Sequence, residues 1–242
     1  MRFYHYAIII LSFCACTKKN APAPATFTPP APQAEAQILP GDTVTYLALG
    51  DSYTYGLDVP QDGSYPYQLS SLLKQNKYAA AAPVVVASFG WTAGYLLSQI
   101  PSINSSQRFS FVTLLIGVND QVKGTNTELF AAQLDSLISD AIIYTGGYQN
   151  RVFVISIPDW SVTPFAADMN KGEIASGIQV FNSINESEAG KFGVNYLDIT
   201  ALSELAATDP LLIASDGLHP SAKMYTLWVN QFYGNIVASF KQ

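Results

Sequence analysis

Five short runs of apolar and β-branched residues, at 43–49, 83–87, 111–116, 151–157 and 194–197, constrain the fold most strongly. Each is apolar without alternation, as a strand covered on both faces must be. Helical patterns separate them. The clearest spans 125–147, where Leu129, Phe130, Leu134, Leu137, Ile138 and Ile142 fall on one face. Thr125 and Glu128 have capping-box spacing, and Gly146 and Gly147 end the pattern. Further helices are expected near 67–77, 93–100, 173–191 and 221–240. Strands alternating with helices specify parallel βαβ units, and right-handed crossovers put helices on both faces of the sheet. The expected architecture is therefore α/β: a three-layer α/β/α domain over residues 42–242 around a five-stranded parallel sheet.

The chain ahead of this domain reads differently. Arg2 precedes the apolar run Tyr6–Phe13, which is too short for a bilayer span of roughly 20 residues and reads as a signal peptide over residues 1–15. Cys14 and Cys16 lie at its end, in FCAC. That stretch resembles a bacterial lipobox, which implies cleavage before Cys16 and lipidation of its thiol; an ordinary cleaved leader is the alternative. Residues 16–41 are rich in Pro and Ala and form an extended tether. Twenty such residues reach about 60 Å. A lipidated protein of this kind would sit in the cell envelope, held to the membrane by its anchor.

Composition removes several functions. The chain is 49% hydrophobic and 12% charged, as a globular domain is, and its net charge of -6 argues against a nucleic-acid partner. No cysteine follows Cys16, so disulfides and cysteine nucleophiles are excluded from the domain. Of two histidines, His5 lies in the expected leader, which leaves His219 as the one imidazole for acid–base work and excludes a multi-histidine metal site. No metal or cofactor is implied.

In open parallel sheets, ligands bind beyond the carboxyl ends of the strands. Gly50-Asp51-Ser52 follows the first run, Ser88-Phe89-Gly90-Trp91 the second, and Gly117-Val118-Asn119-Asp120 the third. Asp216 and His219 stand three residues apart just before the last helix, with Asp216-Gly217 favouring a turn and Pro220 disfavouring helix at His219. Taken alone, Ser52 reads as a turn or cap residue. Together with a base it could be a nucleophile, since a serine hydroxyl needs a neighbouring group to take its proton.

These four blocks, in this order, resemble the SGNH/GDSL hydrolase family of esterases and lipases across essentially the whole domain. The resemblance implies a flavodoxin-like fold and a catalytic set of Ser52, Asp216 and His219. It implies an oxyanion hole from the Ser52 and Gly90 N–H groups and the Asn119 side chain. Many members carry an asparagine a few residues before that glycine; VVVASFG at 84–90 has none. Tyr53, Trp91 and Trp160 are candidates for the substrate pocket because they fall at strand ends. The implied substrates are carboxylic esters, including an acetylated envelope glycan or small ester. The alternatives are longer-chain lysophospholipids or thioesters, or glycan binding without catalysis on the same scaffold. The anchor is tested by labelled palmitate: it is incorporated by the wild type and lost in Cys16→Ser, and equal labelling of both removes the lipoprotein reading.

Overall fold

The computed structural model describes residues 37–241. The expected leader, Cys16 and most of the tether lie outside the described residues. Packing begins at Ile38, which is buried and donates its N–H to the Phe240 carbonyl at 2.8 Å, upstream of the expected boundary at 42.

The first expected strand is two strands, β1 (Thr43–Val44) and β2 (Tyr46–Gly50). β2 runs directly into a one-turn helix, α1 (Ser52–Tyr55), which ends at left-handed Gly56 (φ 80°). α2 (Tyr65–Gln75) leads to β3 (Ala79–Ala80) and β4 (Val84–Ala87). The chain continues through α3 (Ala93–Gln99), β5 (Phe111–Leu115), α4 (Val118–Lys123) and α5 (Thr127–Tyr144). It then forms β6 (Val152–Ile155), α6 (Lys171–Phe192), β7 (Asn195–Leu197), α7 (Thr200–Glu204) and α8 (Ala222–Ser239).

The main sheet has the expected five parallel strands, in the order β4-β2-β5-β6-β7. β1 leaves it to pair with β3 in a separate two-stranded sheet. β2, β5 and β6 are buried along their whole length, which explains why their sequences are apolar without alternation. After β4 the chain crosses from one side of β2 to β5 on the other, so a crevice opens at the carboxyl ends of β2 and β5.

The α5 start differs from expectation. Asn126, not Thr125, caps it, its Oδ1 accepting the Leu129 N–H at 3.0 Å. Left-handed Gly124 (φ 66°) ends α4, and the Thr125 N–H is spent on the Asp120 carbonyl. Asparagine is also the better cap.

Buried polar contacts fasten α1 to the sheet. The hydroxyls of Tyr46, Thr113, Tyr65 and Thr54 form a chain with separations of 2.7, 3.2 and 3.2 Å. The Tyr225 hydroxyl donates to the Tyr53 carbonyl at 2.9 Å. The turn itself requires glycine at Gly50, because a β-carbon there would overlap Thr54 Oγ1 and the Leu115 carbonyl oxygen. Gly50→Ala is therefore expected to lower unfolding stability by at least about 2 kcal/mol, read by urea denaturation. A loss under about 0.5 kcal/mol would contradict so close an approach.

Candidate active site

The Gly50 turn delivers Ser52 at the carboxyl end of β2. Asp51 caps α1, its Oδ1 accepting the Tyr53 N–H at 3.0 Å. Ser52 Oγ lies 2.9 Å from His219 Nε2. His219 Nδ1 is 2.5 Å from Asp216 Oδ2. With Nδ1–H donating to Asp216, Nε2 is free to accept the serine proton. The imidazole is buried, and the Tyr53 ring packs against it at 4.8 Å between centroids.

The loop carrying both residues is a tight one. Ile213 and Pro220 form an antiparallel bridge, and the Ala214 N–H donates to the His219 carbonyl at 2.8 Å. Within it, Gly217 takes a left-handed conformation (φ 77°). Asp216 Oδ1 accepts the Leu218 and His219 N–H groups, each at 2.9 Å. Burial opposes ionisation of Asp216, but the Leu218 N–H, the His219 ring and the His219 N–H outweigh it and hold the carboxyl below its usual range. Asp216 is thus an anion facing the imidazole.

Asp51 is the opposite case. Burial pushes its carboxyl up to about 8, against a stabilising Tyr53 N–H bond and with the charge of Asp120 adding to the rise. Its Oδ2 is buried without a hydrogen-bond partner. The carboxyl beside Ser52 is therefore held neutral at pH 7.

Ser52, Gly90 and Asn119 follow β2, β4 and β5, three adjacent strands, and so gather at one end of the sheet. Among the described residues no hydrogen bond occupies the Ser52 or Gly90 N–H. Asn119 Nδ2 donates to the Trp91 carbonyl at 3.1 Å, which leaves its second amide hydrogen free. The Gly90 loop is held by two further bonds. Asp120 Oδ2 accepts the Ala93 N–H at 2.8 Å, and Lys123 Nζ donates to the Gly90 carbonyl at 3.1 Å. Gly90 is left-handed (φ 76°), and a β-carbon there would meet nothing within 4 Å; backbone conformation, not crowding, selects glycine.

A cavity of about 570 Å³ opens from Ser52, Asn119 and His219. Its walls are mostly apolar, from Val118, Val122, Trp160, Phe165, Met169 and Ile174. Phe89, Val122, Phe165 and Met169 are 45–69% exposed there, an uncovered apolar rim. Tyr53 and Trp160 line the cavity. Trp91 does not: its ring packs at a tilt against Tyr95, 5.3 Å between centroids, and it offers the site only its carbonyl. Val122, Met169 and Ile174 were not singled out in the sequence, although Met169 lies in the irregular segment after β6, where a strand-end rule points. Among the described residues, no cluster of three or more His, Cys, Asp or Glu side chains could hold a metal ion, and no helix is long and apolar enough to cross a membrane.

Residues 48–227 match the profile of the GDSL-like lipase/acylhydrolase family. No curated protein matches the chain. Among solved structures, TesA is 16% identical, with 79% of this chain and 97% of that one covered at a TM-score of 0.63. The psychrotrophic esterase EstA from Pseudoalteromonas sp. is 16% identical, with 79% and 96% covered and a TM-score of 0.62. The acetylxylan esterase Axe2 from Geobacillus stearothermophilus is 18% identical, with 82% and 96% covered and a TM-score of 0.61. At these identities the likeness is one of fold.

The raised Asp51 carboxyl has a consequence for stability. Its folded value of about 8 lies above its ordinary 3.8, so the folded state keeps a proton that the unfolded state releases. The stabilisation is complete below about pH 4 and is lost as pH rises through about 8. Asp51→Asn, which keeps the cap oxygen, is expected to lose less stability than the wild type between pH 5 and pH 8.5, by at least about 1 kcal/mol. Urea unfolding at the two values reads this, and parallel losses in both proteins would show that Asp51 is ionised in the fold.

Proposed function

Because the chain belongs to the GDSL-like lipase/acylhydrolase family, we propose that it hydrolyses carboxylic esters through Ser52. The observation that carries the reading is the hydrogen-bonded series Ser52–His219–Asp216 at the mouth of a mostly apolar cavity. His219 Nε2 takes the hydroxyl proton as Ser52 Oγ bonds to the ester carbonyl carbon. The Asp216 carboxylate holds the imidazole tautomer and stabilises the imidazolium. The Ser52 and Gly90 N–H groups and the free amide hydrogen of Asn119 face the oxyanion, each donor worth on the order of 10²–10³ in rate. Collapse of the intermediate breaks the bond to the alcohol oxygen, which leaves with the proton from His219. Water then repeats the sequence on the acyl-enzyme, giving up its proton to His219 and releasing the acid.

The apolar part of the wall, from Val118, Val122, Trp160, Phe165, Met169 and Ile174, supports an acyl group longer than acetyl, since burying each methylene contributes about 0.8 kcal/mol. A second reading, removal of acetyl groups from a glycan, is favoured by exposed Phe89 and Phe165 at the rim, where a sugar ring could stack. The resemblance of FCAC to a lipobox supports placing the enzyme in the envelope, tethered through Cys16.

A series of p-nitrophenyl esters from acetate to palmitate separates these readings. For an acyl-chain pocket, kcat/KM rises about three- to fourfold per methylene over the first several carbons, and Ser52→Ala lowers it by more than about 10³. A maximum at acetate with no rise thereafter favours the deacetylase. No turnover of any ester by folded protein removes the esterase reading altogether.

A further inference from the structure

Asp58 is an exposed residue in the loop that leaves α1, six positions after Ser52. It adopts a left-handed backbone conformation (φ 63°), one of only two non-glycine residues to do so among those described. Aspartate tolerates this region better than most residues, yet it remains unfavourable, so something in the fold compensates. The left-handed turn aims the carboxylate across to the distant loop before α8. There Asp58 Oδ2 accepts the Asp216 N–H at 2.9 Å and the Ser215 hydroxyl. Among the described residues no cation pairs with Asp58, and these two donors are its hydrogen-bond partners.

These contacts fall at a critical place. The nucleophile and the base come from segments 167 residues apart. Among the described residues, the side-chain hydrogen bonds that join the Ser52–Pro60 stretch to the 213–220 loop are the Ser52–His219 bond and the two made by Asp58. On its other side the loop is held by the Phe165 N–H donating to the Gly217 carbonyl at 2.9 Å. Asp216 has its carboxylate fully committed to Leu218 and His219, so its own backbone must be held from outside if the His219 ring is to stay put.

We propose that Asp58 is a positioning residue. By accepting the Asp216 N–H and the Ser215 hydroxyl it fixes the acid–base loop relative to α1, and so sets the reach of His219 Nε2 to Ser52 Oγ. The role is geometric: it requires an oxygen acceptor at this position and not a negative charge. It rests on the assignment of Ser52, Asp216 and His219 as the reacting set. A displacement of about 1 Å in such a set costs up to about 10²-fold in rate.

The test compares Asp58→Ala, Asp58→Asn and Ser215→Ala on one p-nitrophenyl ester, with kcat and KM resolved and folding checked by circular dichroism and thermal unfolding. Asp58→Ala is expected to lower kcat about tenfold with KM within twofold of wild type. Asp58→Asn, which keeps the acceptor and tolerates the left-handed backbone, restores most of kcat. Ser215→Ala, which removes one of the two bonds, loses roughly threefold. A wild-type kcat in Asp58→Ala overturns the proposal. So does an Asp58→Asn enzyme as slow as the alanine variant, because charge would then be the operative property. If Asp58→Ala fails to fold, the other two variants decide: full kcat in Ser215→Ala together with a tenfold loss in Asp58→Asn overturns it. Ser52→Ala run alongside separates the two levels. Retained turnover there overturns the reacting set and this proposal with it; loss there beside an unaffected Asp58→Ala overturns the positioning role alone.

Discussion

The 2.9 Å contact between Ser52 Oγ and His219 Nε2 is the interaction on which the rest of the molecule depends. It spans 167 residues and the full sequence of βαβ units. Neither partner is useful alone, since the hydroxyl needs a base and the imidazole needs a fixed tautomer. The parallel sheet brings them within reach by placing every strand's carboxyl end on one side. The switch of chain direction beside β2 opens the crevice in which they meet.

Holding Ser52 there requires a one-turn helix that could not persist unaided. The fold holds it from beneath with a buried hydroxyl chain from Tyr46 to Thr54 and a bond from Tyr225 to the Tyr53 carbonyl. Asp51 caps the helix at the cost of a buried carboxyl with one oxygen left unpartnered. A charge there would be expensive, and the group stays neutral instead. The two aspartates of the site are therefore tuned in opposite directions. Asp216, with three hydrogen bonds, keeps its charge for the imidazole, while Asp51 gives its up to the fold.

The loop that carries Gly90 is held by contacts from α4. Where many members of the family carry an asparagine ahead of the glycine, residues 84–90 have none. Here the loop is fixed by the helix that follows the neighbouring strand, through Asp120 to Ala93, Lys123 to Gly90 and Asn119 to Trp91. α4 supplies all three side chains, so one short helix both presents a donor of the candidate oxyanion hole and steadies the next.

The residue pattern alone determined the parallel α/β architecture, because strands buried on both faces must be apolar throughout and helices between them must show one apolar stripe. It also determined that, among the described residues, any imidazole chemistry belongs to His219, by count. The turn at Asp216-Gly217 was legible because its left-handed conformation favours glycine, whereas the need for glycine at Gly50 comes from the close approach of Thr54 and of Leu115 on the neighbouring strand. The split of the first strand was not legible, since β1 is drawn off by pairing with β3, a contact between distant segments. Trp91 was read as a pocket residue from its place in the chain, but ring packing on Tyr95 turns it elsewhere. Val122 and Ile174 lie within helices and carry no sequence signal that separates a cavity wall from core. Asp58 lies in an exposed loop whose partner is more than 150 residues away. Such roles were decided only by tertiary structure, because they are properties of which segments meet, and a pattern that repeats along the chain records only which face of an element is buried.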